Sequence, residues 1–189
     1  PLSRAVWDGI LTMPLVLPPT VAGFFLLLLF SLRRPFGKFL MESFDFKVVQ
    51  TWKGCVIAAT VIAFPLMYRN ARAAFEQVDV NLIYAGQTLG MSDHKIFWKV
   101  IIPAAAPGIA SGTVLAFARA IGEYGATSML AGNILGKTRT VSVAIAAETA
   151  AGNYDVAGFW VVVIVVISFV IVALINIVSG RGMKSRRWI

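Results

Sequence analysis

The sequence predicts an all-α membrane protein, a polytopic bundle of transmembrane helices, and two observations support this. Of the 189 residues, 58% are hydrophobic and the mean hydropathy is +0.79, whereas a soluble domain is ordinarily about 45–50% apolar. The apolar residues are gathered into four long stretches that approach the roughly 20 residues a helix needs to cross a bilayer core. Composition and segment length together indicate the membrane class.

The four candidate spans run approximately over residues 9–32, 52–68, 100–121 and 156–178. The last is rich in Val and Ile, which favour strands, but its unbroken length favours a helix because a barrel strand needs only about 9–11 residues. The second span is short. We expect it to extend into the flanking Ala71, Ala73 and Ala74, or to be shielded by its neighbours.

Prolines interrupt the first span at Pro14 and again at Pro18 and Pro19, directly before Thr20. Each proline removes a backbone donor and disrupts a helix. Backbone groups that face lipid cannot stay unsatisfied, so a broken helix is tolerated only against protein or a water-filled cavity. Two interpretations stay open: a structural kink, or a break that lines a translocation pathway.

Small residues recur at every fourth position of the third span, at Ala104, Gly108, Gly112, Ala116 and Ala120. One face of this helix is therefore almost free of side chains, which suits close packing on another helix. We expect this face to be a packing seam.

The same span ends with Arg119 and Glu123, one helical turn apart. Ionisable groups inside a membrane are functional candidates by default. Such a pair can also simply neutralise itself, although an acid C-terminal to its base is the weaker orientation on a helix. A role in an ion pathway and a purely structural role both stay open.

The polar segment within residues 69–99 is predicted to form two short helices. Asp79 is expected to cap the first, Gly90 to supply the left-handed turn that ends it, and Ser92 or Asp93 to cap the second. An amphipathic surface pair is one interpretation of this segment, and a docking surface for a partner is the other.

Docking is favoured by two small residues, Ala85 and Gly86, which would let a partner surface approach closely. Pro103 would lie in the opening turn of the third span, where a proline is well tolerated.

Several classes of site are excluded by residue counts. A single Cys55 cannot form an internal disulfide, and with the single His94 it cannot build a Cys/His metal cluster. No further histidine is available to activate a serine in a triad. We therefore expect no catalytic residue, no resident metal and no cofactor.

Residues 131–138, Ala-Gly-Asn-Ile-Leu-Gly-Lys-Thr, satisfy a relaxed phosphate-loop pattern. Phosphate binding of this kind requires a strand before the loop, a helix after it and an acidic residue at the end of another strand. Here the segment lies between membrane spans, and none of the five Asp residues ends a hydrophobic strand-like run. We interpret the match as chance and expect that this chain does not itself hydrolyse ATP.

The net charge of +8 does not indicate a nucleic-acid partner, because the basic residues are scattered between apolar spans. Placing the polar segment in the cytoplasm leaves nine basic residues inside and seven outside, which is a feeble positive-inside bias. The seven expected outside are Arg33, Arg34, Lys38, Lys47, Lys53, Lys137 and Arg139. The basic tail at residues 181–187 is expected to anchor to lipid headgroups in the cytoplasm.

The spacing of the polar segment matches a loop pattern in the membrane subunits of ABC importers. That pattern reads Glu-Ala-Ala, three residues, Gly, nine residues, Ile, one residue, Leu-Pro. Its positions fall here on Tyr84, Ala85, Gly86, Gly90, Val100, Ile102 and Pro103. Tyr84 replaces the usual Glu, so an apolar or aromatic contact is expected in place of any polar contact that Glu makes with the ATPase.

Other stretches narrow the resemblance. They are Leu15-Val-Leu-Pro-Pro-Thr-Val-Ala-Gly23, Phe64-Pro-Leu-Met67 and Gly122-Glu-Tyr-Gly-Ala-Thr127. With these the chain resembles the permease subunit of molybdate-type ABC importers, in the molybdate, tungstate and sulfate branch. Residues 119–124 favour molybdate. Tungstate and sulfate or thiosulfate are alternatives, and a non-ABC membrane scaffold or a secondary transporter is a remote one.

The resemblance implies one transmembrane permease domain over residues 1–189, of the small importer type, in the cytoplasmic (inner) membrane. An additional N-terminal helix is usual in such permeases, so we expect the chain to be incomplete before Pro1. The implied partners are a second permease copy, two cytoplasmic ABC ATPases, an extracytoplasmic oxyanion-binding protein and membrane lipid. The pathway candidates are Pro18, Pro19, Thr20, Arg119, Glu123, Tyr124 and Thr127, and the ATPase-coupling loop lies within residues 69–99.

Overall fold

The computed structural model describes the backbone of residues 2–184 and the side chains of residues 6–174. Over this part of the chain the regular structure is entirely helical, and no β-strand occurs. The helices are α1 (Leu2–Val16), α2 (Pro19–Phe30), α3 (Pro35–Phe44), α4 (Trp52–Glu76), α5 (Val80–Thr88), α6 (Asp93–Ile96), a π-helical turn (Phe97–Ile101), α7 (Ile102–Ile121), α8 (Gly125–Leu130), α9 (Val141–Ala150) and α10 (Tyr154–Lys184).

Among the described residues, three helical stretches are long and apolar enough to cross a membrane. They are α4, the continuous run Asp93–Ile121, and the Tyr154–Leu174 part of α10. The pair Val6–Val16 and Pro19–Phe30 adds a fourth crossing if it is counted as one broken span. The predicted all-α polytopic architecture is confirmed.

The first predicted span, residues 9–32, is not one helix, because α1 and α2 meet at a bend of 112°. Pro18 is extended there, with φ −53° and ψ 135°, and Pro19 begins α2. The ring of Pro19 excludes the preceding residue from the helical region of backbone space, which forces the break at Pro18. Pro14, in contrast, lies inside α1 without ending it.

The second span extends beyond residue 68 as expected, because α4 continues to Glu76 and includes Ala71, Ala73 and Ala74. The residues that follow position 68 are good helix formers, and Arg72 pairs with Glu76 across 2.7 Å at one turn's separation. The start of the polar segment is therefore the end of α4, and the two short helices are α5 and α6.

The third span does not begin with a free helix end at Pro103. The chain is helical without interruption from Asp93 to Ile121, and the π-helical turn joins α6 to α7. In that turn the N–H of Ile102 donates to the carbonyl of Phe97, five residues back. A proline inside a helix clashes with the carbonyl four residues before it, and the wider turn relieves that clash for Pro103.

The chain divides into two compact units, each described separately. The first comprises the described residues of Pro1–Pro65 and Phe117–Phe169, and the second those of Leu66–Ala116 and Val170–Ile189. In the first unit α2 and α8 pack on the N-terminal part of α4. Its core consists of Ala22, Val48, Ala58, Ile62, Ala126 and Leu130.

In the second unit the predicted packing seam is confirmed at two glycines of α7. A Cβ atom on Gly108 would lie 2.6 Å from the Cβ of Ala74, and one on Gly112 would lie 2.6 Å from the Cβ of Asn70. Such separations are far below van der Waals contact, so only glycine permits the approach of α4 and α7 here.

The last span begins at Tyr154, and large apolar side chains such as Val162 and Phe169 stay exposed on it. Exposure of this kind suits a helix surrounded by lipid or by other membrane subunits. The predicted headgroup anchor at residues 181–187 lies outside the residues whose side chains are described.

Candidate functional site

The coupling loop, defined here as α5, the following turn and α6, forms as predicted at its ends. The Asp79 carboxylate accepts a hydrogen bond from the N–H of Asn81 across 2.9 Å and caps α5. Gly90 has a φ of +71°, the left-handed conformation that glycine adopts without strain. Ser92 holds the N-cap position of α6, without a side-chain hydrogen bond to the helix.

The sequence suggested that Gly86 lets a partner surface approach closely, but the structure shows a different contact there. It is buried, and a Cβ on it would lie 3.0 Å from Cγ1 of Ile96 in α6. The close approach at this position is therefore made by the same chain, and it fixes α5 against α6. Ala85 remains exposed and accessible to a partner.

The outer face of the coupling loop carries exposed apolar side chains. Tyr84, at the position where the importer pattern has Glu, is 59% exposed, and Leu89 is 79% exposed beside the turn glycine. Val80 and Leu82 are also exposed. Sequence reasoning missed Leu89 as a candidate. The sequence feature that could have identified it is an apolar residue directly before a turn glycine, where the side chain points away from the helix pair.

Phe97 holds the coupling loop to the end of α4. Its ring stacks on that of Phe75, with 6.4 Å between centroids and 22° between planes. Phe97 is also the first residue of the π-helical turn that runs into α7. Movement of the coupling loop is therefore tied to two membrane helices at once.

The second group of candidates lies in the first unit, where the proline break meets α8. A Cβ on Gly125 would lie 3.0 Å from Cβ of Pro19 and 3.2 Å from the backbone N of Thr20. One turn further along, a Cβ on Gly23 would lie 2.6 Å from Cα of Ala126. Two sequence motifs that are more than a hundred positions apart are thus brought into direct contact.

Glu123 is buried, with 2% of its surface exposed, and both carboxylate oxygens are occupied. Oε2 accepts from Nη1 of Arg119 across 2.8 Å, and Oε1 accepts from the N–H of Ala126 across 2.7 Å. The carboxylate therefore links the end of α7 to the start of α8. Its bond to the Ala126 amide could not be read from the sequence, because it depends on how the chain turns at residues 122–124.

The remaining pathway candidates differ in exposure. Pro18, Thr20 and Tyr124 are exposed, whereas Pro19 is partly covered. Thr127 was expected to offer its hydroxyl to an oxyanion, but it is buried at 1% exposure in the core of the first unit. Its neighbours Gly125 and Ala126 in α8 lie in close contact with α2.

The segment that resembles a phosphate loop follows helix α8 rather than a strand, so the geometry of a phosphate site is missing there. The hydroxyl of Thr138 is used within the segment, where it accepts from the N–H of Ile134 across 3.1 Å.

Arg139 links this segment to α9, because its guanidinium donates hydrogen bonds to Asn133 and to Glu148, each across 2.8 Å. The amide of Asn153 and then the Arg139 guanidinium hold the pKa of Glu148 below its ordinary value. We interpret this cluster as a structural clamp between the loop and α9.

Comparison with known proteins gives one family and a consistent set of relatives. The family described as "Binding-protein-dependent transport system inner membrane component" matches residues 1–180. The chain is 44% identical to YvgM of Bacillus subtilis, a permease protein named for a molybdenum transport system, over 87% of this chain and 72% of that protein.

It is also similar to the molybdenum transport system permease protein ModB of Escherichia coli, with 45% identity over 76% of this chain and 62% of that protein. The sulfate transport system permease protein CysT of Salmonella typhimurium is 34% identical over 95% of this chain and 64% of that protein. The chain thus spans less than two thirds of the length of ModB and CysT.

Proposed function

Because the chain belongs to the family of binding-protein-dependent transport system inner membrane components, we propose that it is the permease subunit of an ABC importer that moves molybdate into the cell. The observation that carries the choice of substrate is the identity of 44–45% with the molybdenum permeases YvgM of Bacillus subtilis and ModB of Escherichia coli, against 34% with the sulfate permease CysT of Salmonella typhimurium. Tungstate and sulfate are the alternatives, since both are tetrahedral dianions.

The proposed assembly contains two copies of the permease, two cytoplasmic ATPase subunits and an extracytoplasmic binding protein. Docking of the ATPase on the coupling loop is supported by the exposed side chains of Tyr84 and Leu89 beside the exposed Ala85. Aromatic and apolar side chains of this kind form the centres of protein interfaces. ATP hydrolysis belongs to the partner, and the permease supplies the path through the membrane.

Coupling would proceed through the continuous helix from Asp93 to Ile121. When ATP closes the ATPase pair, the two coupling loops move with it. Because α6 joins α7 without a flexible connection, the loop and this span would move together. The membrane subunits would thereby alternate between two discrete arrangements, in which the path is open to one side or the other.

The proposed path runs past the proline break and the α7–α8 turn. Thr20 and Tyr124 are exposed, and their hydroxyl groups can donate hydrogen bonds to the oxygens of an oxyanion. Such neutral donors do not hold the oxyanion tightly. Arg119 is neutralised by Glu123, so it adds no unpaired charge that would trap a dianion. Pro18 and Pro19 shape the break, and Thr127 would contribute only in an arrangement that uncovers it.

The test is the content of molybdenum, tungsten and sulfur in cells that lack the full-length gene, grown with trace oxyanion. Selective loss of molybdenum, restored by the intact gene, is the expected result. Loss of tungsten or sulfur instead would support the importer function but with tungstate or sulfate as the substrate. No loss of any of the three, in a strain without a redundant importer, would contradict the proposal.

A further inference from the structure

The surface of α3 is largely uncovered by the rest of the chain. Of its ten residues, Gly37 is buried and Leu40 is partly covered, while the others are exposed. Three phenylalanines are among the exposed ones, Phe36, Phe39 and Phe44, and Phe44 is 68% exposed. A contiguous aromatic surface on so short a helix indicates a contact outside this chain.

The charged and the apolar side chains of α3 lie mainly on different sides of the helix. Lys38 and Glu42 lie on one side, one turn apart, with 3.6 Å between Nζ and Oε1. At about 100° per residue, Glu42 lies roughly 160° around the helix from Phe44. Phe36 and Phe44 lie about 80° apart on the other side, whereas Phe39 lies about 60° from Glu42 at the edge of the apolar face, where its ring contacts that of Phe44 with 6.1 Å between centroids. The helix is therefore amphipathic.

The position of α3 is fixed by its connections. Four residues separate it from the end of α2, and the rings of Phe30 and Phe36 lie 5.7 Å apart across that connection. After α3 the chain turns at Asp45, which is left-handed with φ +47°, and Val48 returns to the core of the first unit. α2 is the second half of a bent pair that counts together as one candidate span, and α4 is another candidate span. A helix that connects two spans lies at the level of a bilayer surface.

The surroundings of α3 are basic. Residues 31–53 contain five basic side chains against two acidic ones, Glu42 and Asp45, which gives a net charge of +3. The five are Arg33, Arg34, Lys38, Lys47 and Lys53. With the coupling loop in the cytoplasm and α4 crossing once, this segment lies on the outer side. Basic residues are ordinarily scarce on that side, so their presence points to a local anionic partner.

We propose that α3 is an interfacial helix that lies in the outer surface of the membrane. Phe36 and Phe44 insert among the acyl chains, and Phe39 lies at the boundary between the acyl chains and the headgroups. Arg33, Arg34, Lys38 and Lys47 bind the headgroups of anionic phospholipids. This combination of an apolar face, a charged face and flanking basic residues is the pattern of helices that lie on a membrane. The choice of leaflet, and with it the argument from basic residues on the outer side, rests on the proposed function; the contact of α3 with lipid does not.

The depth of the helix can be measured by spin labelling of the full-length protein in nanodiscs of phosphatidylethanolamine and phosphatidylglycerol. In a Cys55→Ser background, labels are attached at Phe44→Cys and, as the matched control, at Glu42→Cys. The label at 44 is expected to collide mainly with oxygen, and the label at 42 mainly with a water-soluble nickel chelate. Equal access of the chelate to both labels would overturn the proposal. Exclusion of both reagents from both labels would also overturn it and would indicate a protein contact.

The charge contribution is tested separately by replacing Arg33, Arg34, Lys38 and Lys47 with Gln. The preference of the protein for spin-labelled phosphatidylglycerol over phosphatidylcholine is expected to fall by about fivefold or more, since basic residues near a membrane surface attract anionic headgroups. Lys137→Gln, exposed in a different outer loop, serves as the control and is expected to change little. An unchanged preference in the fourfold variant would overturn the proposal, as would a preference that responds to added molybdate instead.

Discussion

Nη1 of Arg119 lies 2.8 Å from Oε2 of Glu123, and the carboxylate side chain is fully shielded while the arginine side chain keeps 34% of its exposure. The second carboxylate oxygen accepts from the Ala126 amide, so both oxygens of Glu123 are engaged within the protein in this conformation. Of the two roles left open by the sequence, the geometry favours a structural one for Glu123. Arg119 reaches solvent, and it is therefore the member of the pair for which we propose a contact with substrate.

Removal of Arg119 should leave a buried carboxylate without its cation. We expect Arg119→Ala to lower the free energy of unfolding by about 1–3 kcal/mol, below the value for a fully buried pair because Arg119 reaches solvent. The double variant Arg119→Ala, Glu123→Gln should regain part of the loss, since the Gln carbonyl can still accept from Ala126. Thermal unfolding in detergent measures both. Equal stability of the wild type and the single variant would contradict a structural role for the Arg119–Glu123 pair.

The left-handed turn at Gly90 should be required for association with the ATPase. A β-branched residue is strained at φ +71°, so Gly90→Val should distort the turn that presents Leu89. Gly152→Val is the matched control, because Gly152 has a φ of +79° and open space around it, but lies between α9 and α10. Co-purification of the ATPase subunit should fall with the first variant only. A similar loss with both would indicate general misfolding.

Tyr84 should contribute an aromatic contact to the same interface. Truncation of an interface tyrosine commonly weakens binding by more than about 1 kcal/mol, so Tyr84→Ala should reduce ATPase affinity by about fivefold or more. Tyr84→Phe keeps the ring and should bind nearly as well as the wild type. Titration of the detergent-solubilised permease with the purified ATPase gives the affinities. If Tyr84→Phe binds as weakly as Tyr84→Ala, the hydroxyl rather than the ring makes the contact.

The glycine seam should tolerate no side chain at its centre. Gly112→Leu places atoms where Asn70 already lies and should lower the thermal midpoint, with an overpacking penalty of about 1–3 kcal/mol. Ser111→Leu, at an exposed position one residue away on the same helix, should be nearly neutral. A larger loss of stability in Ser111→Leu than in Gly112→Leu would contradict the seam.

The membrane class, the approximate spans and the ends of the coupling loop could be predicted from the sequence because each rests on local signals. Apolar length gives the spans, Pro18-Pro19 gives the break, and Asp79 and Gly90 give the cap and the turn. The sequence could not show the contacts that cover two of the candidate residues. Ile96 fills the space over Gly86, and Thr127 is buried in α8, which packs against α2.

Two features had only weak signals. The amphipathic pattern of α3 is confined to ten residues, too short to stand out between longer apolar runs. The continuity of α6 with α7 was hidden because Pro103 ordinarily indicates a helix start, whereas here a π-helical turn accommodates it. The π-helical turn depends on a backbone hydrogen bond from Ile102 to Phe97, which a sequence pattern does not reveal.

The most direct test of the account is uptake of molybdate into proteoliposomes. The full-length permease would be reconstituted with its ATPase subunit, ATP enclosed on the ATPase side and the binding protein supplied on the other. We expect molybdate to accumulate only when both ATP and the binding protein are present. This accumulation should be lost with Gly90→Val but kept with Gly152→Val. Accumulation that proceeds equally without ATP, or ATP hydrolysis without any oxyanion uptake, would contradict it.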